Sequence, residues 1–246
     1  MSELSVSDEA FRVRLLGGFD LRVGNQIVTL PLNVRRLIAL LAVRELPQTR
    51  SSVAYTLWMD TPQARATANL RSALWKLGPQ RDRLLHADAE RLWLARGVHV
   101  DFTRVIAQAK RLIGPEPGLM PGDADAVDEL ANDLLPDWDE DWLQDERERL
   151  RQLRVHALEA LCIRLRTGGR DAEAVCAGQA AVAAEPLRES AQRQLITAHL
   201  AEGNVSEARR QFEIYRRLLW ENLQLSPSPQ MTRLLATGRP RVLSDL

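Results

Sequence analysis

PQARATANLRSALWKL, residues Pro62 to Leu77, is the stretch that decides the fold. Ala66, Leu70, Ala73, Leu74 and Leu77 recur at i, i+4, i+7, i+8 and i+11, which is one apolar stripe on a helix. The other side carries Ala68, Arg71, Ser72 and Trp75, with Arg65, Thr67, Asn69 and Lys76 at its edges. Upstream, Pro31 opens a helix at a first-turn position, which its fixed φ suits. Leu37, Leu40, Leu41 and Arg44 follow at helical spacing, and the helix stops before Pro47. Thr49 or Ser51 caps a second, short helix, Ser52 to Trp58. Trp58 is expected in the core, and Asp60-Thr61-Pro62 leads into the decisive stretch. Downstream, Arg83 to Ala95 is two short apolar runs around Ala87-Asp88-Ala89-Glu90, a hairpin. Helix, turn, helix, hairpin is the outline of a winged helix.

In front of the helices stand three β-prone runs, Phe11–Leu16, Phe19–Val23 and Gln26–Leu30. Gly17-Gly18 and Gly24-Asn25 separate them as turn pairs. Phe19, Leu21 and Val23 alternate with Asp20 and Arg22, so the meander has one apolar face. Met1 to Ala10 is polar and acidic, without the basic start and apolar middle of a signal peptide. It is expected as a flexible tail.

Charge separates the two halves. Residues 11–100 hold 14 Lys/Arg and 6 Asp/Glu, a net of +8, while residues 101–246 hold 19 and 24, a net of −5. A polyanion partner therefore suits the front half alone. Of 33 basic residues 31 are Arg, which favours bidentate contacts to phosphate and guanine where they are exposed. The third helix is the candidate groove reader. Arg71, with Asn69 and Ser72, suits base edges. Arg65, Lys76, Arg50 and Arg91 suit phosphates, and Thr67 and Trp75 complete the set. Taken alone, such a face is also that of an ordinary solvated amphipathic helix, and Trp75 could pack on the wing instead of facing out. His86, without a carboxylate or Cys partner nearby, is a strand or surface histidine.

The back half is helical. Asp101 to Ile113 reads as a helix, Gly114 to Gly122 as a Pro/Gly-rich loop, and Ala124 to Leu135 as helix again. Leu134 to Leu150 (LLPDWDEDWLQDERERL) concentrates seven acids, Asp137, Asp139, Glu140, Asp141, Asp145, Glu146 and Glu148. No His, nucleophile or glycine loop stands beside them, so catalysis is a poor reading, and acids near a helix start are favoured by its dipole. Trp138 and Trp142, four apart, are expected to share a helix face. From Leu153 the chain repeats with a 34-residue period: Leu153 and Leu187, Ala157 and Ala191, Leu161 and Leu195, Gly169 and Gly203, Ala174 and Ala208. That is the period of the tetratricopeptide helix pair. Helices over about 150–167, 171–184, 187–202 and 206–222 follow from it. Pro227 and Pro229 end the array, and Gln230–Leu235 adds a last helical turn. Cys162 and Cys176 are expected as buried free thiols, and His199 as a packing residue. No metal or cofactor site is expected.

Some of these stretches also carry a family likeness. Val34-Arg35-Arg36-Leu37, Thr56-Leu57-Trp58 and Asn69 to Leu77 resemble the OmpR-type winged helix. Leu135-Pro136-Asp137-Trp138, Trp142 to Leu150, Glu185 to Glu189 and Leu225-Ser226-Pro227-Ser228-Pro229 resemble the bacterial transcriptional activation domain. In this order they are similar to the Streptomyces antibiotic regulatory protein family over about residues 11–236.

The resemblance implies a sequence-specific activator of transcription that binds short direct repeats beside promoters and recruits RNA polymerase holoenzyme, for secondary-metabolite genes. It implies double-stranded DNA as partner, self-association on tandem sites, and a cytoplasmic, nucleoid-associated protein with no membrane segment. A repressor using the same contacts, and an adaptor whose winged helix binds protein, are the competing readings; an enzyme is not expected. Longer relatives append ATPase or sensor modules, which this sequence does not show. The expected architecture is mainly α with a small β component. It divides into a tail (1–10), a winged helix-turn-helix domain (11–98) and an all-α tetratricopeptide-like activation domain (99–246).

Overall fold

The computed structural model describes residues 10–115 and 118–237. Apart from Ala10, the tail expected at the amino terminus lies outside the described residues. The chain forms two compact units. The first takes the residues up to Ile106 together with Asn132–Glu148, and the second takes Ala107–Ala131 and the residues from Arg149 onward.

In the first unit, β1 (Phe11–Arg14), β2 (Asp20–Val23) and β3 (Gln26–Ile27) make the antiparallel meander the alternation predicts. Phe11 and Val13 point into the core while Arg12 and Arg14 face out, as pleated backbone requires. The next element, α1 (Leu32–Arg44), is buried continuously from Leu37 to Val43. A helix apolar on every side must lie inside, so the unit packs around it. After β4 (Gln48–Thr49) comes α2 (Arg50–Leu57), which starts two residues before the expected Ser52. The Thr49 hydroxyl accepts from the Ser52 N–H at 3.2 Å and caps it. Trp58, expected in the core, is half-buried at the end of α2. Next, α3 (Gln63–Lys76) buries the predicted stripe. A 3-10 turn, Gly78–Gln80, and one turn of helix, α4 (Arg81–Leu84), lead to the hairpin of β5 (Leu85–Ala87) and β6 (Arg91–Leu94). The wing gains a third strand, since β4 pairs with β6 in the order β4-β6-β5.

Sequence reading missed β7 (His99–Val100), which runs parallel to β1 and completes a sheet of order β3-β2-β1-β7. Two residues are too few for alternation to register. Asp101, the first residue of α5 (Asp101–Ile113), locks this junction. Its carboxylate accepts from the N–H groups of Leu15 (2.8 Å), Leu16 (3.0 Å) and Phe102 (2.7 Å). Burial raises this carboxyl above the usual carboxylate range, and the three donors offset only part of that.

The helix expected over Ala124–Leu135 is shorter: α6 covers Ala126–Ala131. Leu134 forms a β-bridge and Leu135 turns the chain at a φ of 43°, because backbone pairing beyond the end of β1 competes with the helix. Leu134 bridges Leu16, the Leu135 N–H donates to the Leu15 carbonyl at 2.8 Å, and the Gly17 N–H donates to the Asp133 carbonyl at 2.8 Å. Trp138 then stacks on Phe19, with ring centroids 5.7 Å apart, before α7 (Asp141–Thr167) begins. Trp138 and Trp142 therefore do not share a helix face, and the Trp142 indole N–H donates to Glu140 at 2.9 Å. The acidic segment has a structural use. Glu140 pairs with Arg36 at 2.5 Å and Glu146 with Arg44 at 3.5 Å, both on α1. Arg147 donates to the carbonyls of Leu134, Leu135 and Trp138.

The second unit carries the repeat. From Arg149, α7 leads into α8 (Asp171–Ala184); α9 (Glu189–Ala201) packs on both α8 and α10 (Val205–Leu223), and α11 (Pro229–Thr237) closes against α9. Both members of each alanine pair, Ala157 with Ala191 and Ala174 with Ala208, are fully buried, as are Leu161 and Leu195. Gly169 and Gly203 hold the turns between helices at φ of 72° and 85°, where a β-carbon is strained. Ile196, Ala208, Tyr215, Leu219 and Met231 form a core cluster at the carboxy-terminal end. Cys162 is buried, which pushes its thiol up to about 11. Cys176 is exposed, not buried as expected: it follows Val175 on a helix whose buried stripe is Ala174, Ala177, Gly178 and Ala181. His199 is a buried packing residue. In the loop before α6, Asp123 is fully buried and pairs with Arg111, and Arg164 donates to the carbonyls of Gly118 (3.0 Å) and Gly114 (2.9 Å).

The tightest crossing is at Gly178, where an added β-carbon would sit 3.0 Å from the Leu195 α-carbon. Backbone cannot swing aside as a side-chain tip can. Gly178→Val is expected to lower unfolding stability by about 1–3 kcal/mol, although valine is a slightly better helix former than glycine. A shift of the denaturant midpoint at constant slope is the measurement.

Candidate nucleic-acid interface

The outward face of the first unit is built from α3, the amino-terminal turn of α2 and the wing. Ala66, Leu70, Ala73, Leu74 and Leu77 are all buried, which leaves the opposite side of α3 no place but solvent. Arg65, Thr67, Arg71, Ser72, Trp75 and Lys76 are exposed there, and Asn69 is half-buried at the edge. The helix holds three cations and no Asp or Glu. None of the three has an ion-pair partner among the described residues. Trp75 is 82% exposed, so of the two expected placements, outward or packed against the wing, the structure takes the first. The Thr67 hydroxyl donates to the Gln63 carbonyl at 2.9 Å, which fixes its rotamer along the helix and leaves its oxygen lone pairs open.

Asp88 closes the wing turn. The Asp88 carboxylate accepts from the N–H groups of Arg91 (2.5 Å) and Glu90 (2.8 Å). Those two donors, Arg91 first, hold its carboxyl below the usual range. Arg91 itself is exposed at the start of β6. Arg50 is placed differently from the other cations. Its guanidinium donates to the Asp88 carbonyl (3.0 and 3.3 Å), and its backbone N–H to the Glu90 carbonyl at 2.8 Å. Arg50 thus ties the first turn of α2 to the wing tip. The structure brings Arg50 and Arg91 together at the wing, and Arg65, Thr67, Asn69, Arg71, Ser72, Trp75 and Lys76 together on α3. His86 lies exposed on β5 and pairs across the hairpin with Trp93, ring centroids 5.7 Å apart.

Sequence reading overlooked a groove of about 580 Å³ between α2 and the start of α3. Ser51, Ser52, Tyr55, Met59, Gln63 and Thr67 are among its walls. Tyr55 is 67% exposed. The available signal was the run Ser51, Ser52, Tyr55, which is one face of α2 and lacks the apolar stripe found on α3, with Met59 following in the turn after the helix. No helix among the described residues is long and apolar enough to cross a membrane, and no cluster of His, Cys, Asp and Glu among them is arranged to hold a metal ion.

Residues 124–237 match the family model described as the bacterial transcriptional activator domain. Among solved structures, the chain is similar to Mycobacterium tuberculosis EmbR in complex with a low affinity phosphopeptide. The identity is 20% and the TM-score 0.72, over 95% of this chain and 66% of that one. The chain thus spans just under two thirds of that structure's length. No curated protein sequence matches it.

Two substitutions on α3 separate its faces. Leu70→Ala removes a core side chain and is expected to cost about 2–5 kcal/mol of stability. Trp75→Ala is expected to change stability by less than about 0.5 kcal/mol. Equilibrium unfolding in denaturant reads both, and a large cost for Trp75→Ala would contradict its outward placement.

Proposed function

From a chain that joins a winged helix to a bacterial transcriptional activator domain, the make-up of the Streptomyces antibiotic regulatory protein family, we propose a transcriptional activator that reads DNA through α3. The observation that carries this reading is the outward face of α3, with three cations, no acid and an exposed indole. The helix enters the major groove. Arg71, with Asn69 and Ser72 beside it, contacts base edges, because a guanidinium donates two parallel hydrogen bonds to guanine. Arg65, Lys76 and Arg91 hold phosphates, which supply most of the affinity and none of the sequence preference. Thr67 and Trp75 make close contact with the sugar-phosphate wall. Arg50 acts chiefly by holding the wing turn in place, which its bonds to Asp88 support. The domain boundaries proposed are a winged helix over 11–98 and an activation domain over 99–246. The Asn132–Glu148 segment returns to complete the first unit.

The protein acts in the cytoplasm on the nucleoid. It binds direct repeats beside promoters, two copies side by side, and recruits RNA polymerase. Secondary-metabolite genes are the proposed targets.

The test is a gel-shift titration against genomic fragments at two salt concentrations. Binding with a preferred sequence and a steep salt dependence is expected. Weak binding without preference would move the protein to the adaptor reading. Arg71→Ala is expected to cost about 1–3 kcal/mol and relax preference at one base position. Arg91→Ala is expected to weaken all sequences alike and lower the salt slope by about one. A promoter-reporter assay in cells distinguishes activation from repression.

A further inference from the structure

The second unit carries a surface that the helical repeat does not use. Arg209, Glu213, Arg216 and Trp220 follow each other along one outward face of α10, with Arg217 beside them. Gln224 adopts a left-handed conformation, φ 56° and ψ 30°, and turns the chain after α10. Leu225 and Ser226 thereby join Glu213, Arg216, Arg217 and Trp220 as the walls of a groove of about 410 Å³. Trp220 is 56% exposed. Arg216 pairs with Glu213 at 2.6 Å, and Arg217 has no carboxylate partner among the described residues. An exposed indole sharing a groove with two guanidinium groups has the composition of a binding hot spot, and the groove's net charge is positive. Its occupant is therefore acidic, with a small apolar anchor.

The same chain offers such a strip. In the first unit, Glu140 and Glu146 turn in to the arginines of α1. Asp137, Asp139, Asp141 and Asp145 are exposed, with no hydrogen-bond or ion-pair partner among the described residues, and Pro136 is exposed beside them. We propose that the α10 groove of one copy receives the Pro136–Asp145 segment of a second copy. This rests on the reading that copies sit on direct repeats. Copies on direct repeats are not related by a two-fold axis, so their contact must join two different patches, a heterologous interface. A basic groove and an acidic strip on one chain meet that requirement, whereas one self-complementary patch does not.

The full chain is tested with Arg216→Glu/Arg217→Glu, with Asp139→Lys/Asp145→Lys, and with all four changes together. Binding is compared on DNA carrying one selected site and two tandem sites. Single-site affinity is expected within twofold of the unchanged chain in every variant. Two-site cooperativity is expected to fall tenfold or more in each reversed variant and to recover to within threefold in the combined one. Unchanged cooperativity in the reversed variants, or failure of the combination to recover it, overturns the inference. So does loss of promoter activation with cooperativity intact, which would assign the groove to an acidic segment of the transcription machinery. Should single sites not bind at all, the DNA-reading proposal fails separately. The groove is then tested without DNA, by sedimentation of the free chain at low salt, where self-association lost on charge reversal and regained in the combination is expected and its absence is decisive. Matching melting curves show that the variants fold.

Discussion

What the amino-terminal unit shows to its surroundings follows from what α3 has to bury. Five apolar residues, Ala66, Leu70, Ala73, Leu74 and Leu77, lie on one side of that helix and are covered by the rest of the unit. Rolling α3 about its axis until Leu70 and Leu74 met water would cost on the order of 3–6 kcal/mol. The whole stability of a domain is about 5–15 kcal/mol. The face bearing Arg65, Arg71 and Trp75 is thus aimed by packing, with no help from any ligand. The wing is fixed separately, by the Asp88 turn and the Arg50 guanidinium that grips it.

Periodicity made the helices legible. The α3 stripe, the 34-residue repeat and its paired glycines at positive φ are all long-range regularities of spacing, and spacing survives in a one-dimensional string. The failures have a common cause in partners distant along the chain. Nothing local to Leu134 and Leu135 says that they leave the helix to bond to Leu16 and Leu15, so helix propensity overran α6 by several residues. The β4 and β7 strands are two residues each and exist only because β6 and β1 supply hydrogen bonds. Cys176 was misjudged because its neighbours on α8 are nearly all small and apolar, which hides the side facing water. On the candidate interface, the α3 residues were legible from the helical wheel. The bonds that commit Arg50 to the wing, and the groove along α2, were not, because both depend on how separate elements come together.

Arginine shows the limit most plainly. The same side chain bridges to carboxylates from α1 at Arg36 and Arg44, staples carbonyls at Arg147 and Arg164, and stands in solvent at Arg65 and Arg71. A guanidinium has five donors in a fixed fork and stays charged throughout, so composition alone gives no hint which use a given position makes of it. The acidic segment is the counterpart. Its glutamates at 140 and 146 neutralise α1, and its aspartates face outward, so a run that resembles one charge cluster is two sets of groups with different surroundings.

The return of Asn132–Glu148 to the first unit has a consequence for how such chains are inherited. Trp138 covers Phe19, and Arg147 gathers three carbonyls beside the Leu134 bridge. A recombination event with one breakpoint near residue 98 would graft the amino-terminal helices without their closing flap, leaving an aromatic ring uncovered and two α1 arginines without their carboxylate partners. A unit of this build is complete only when both of its chain segments travel together.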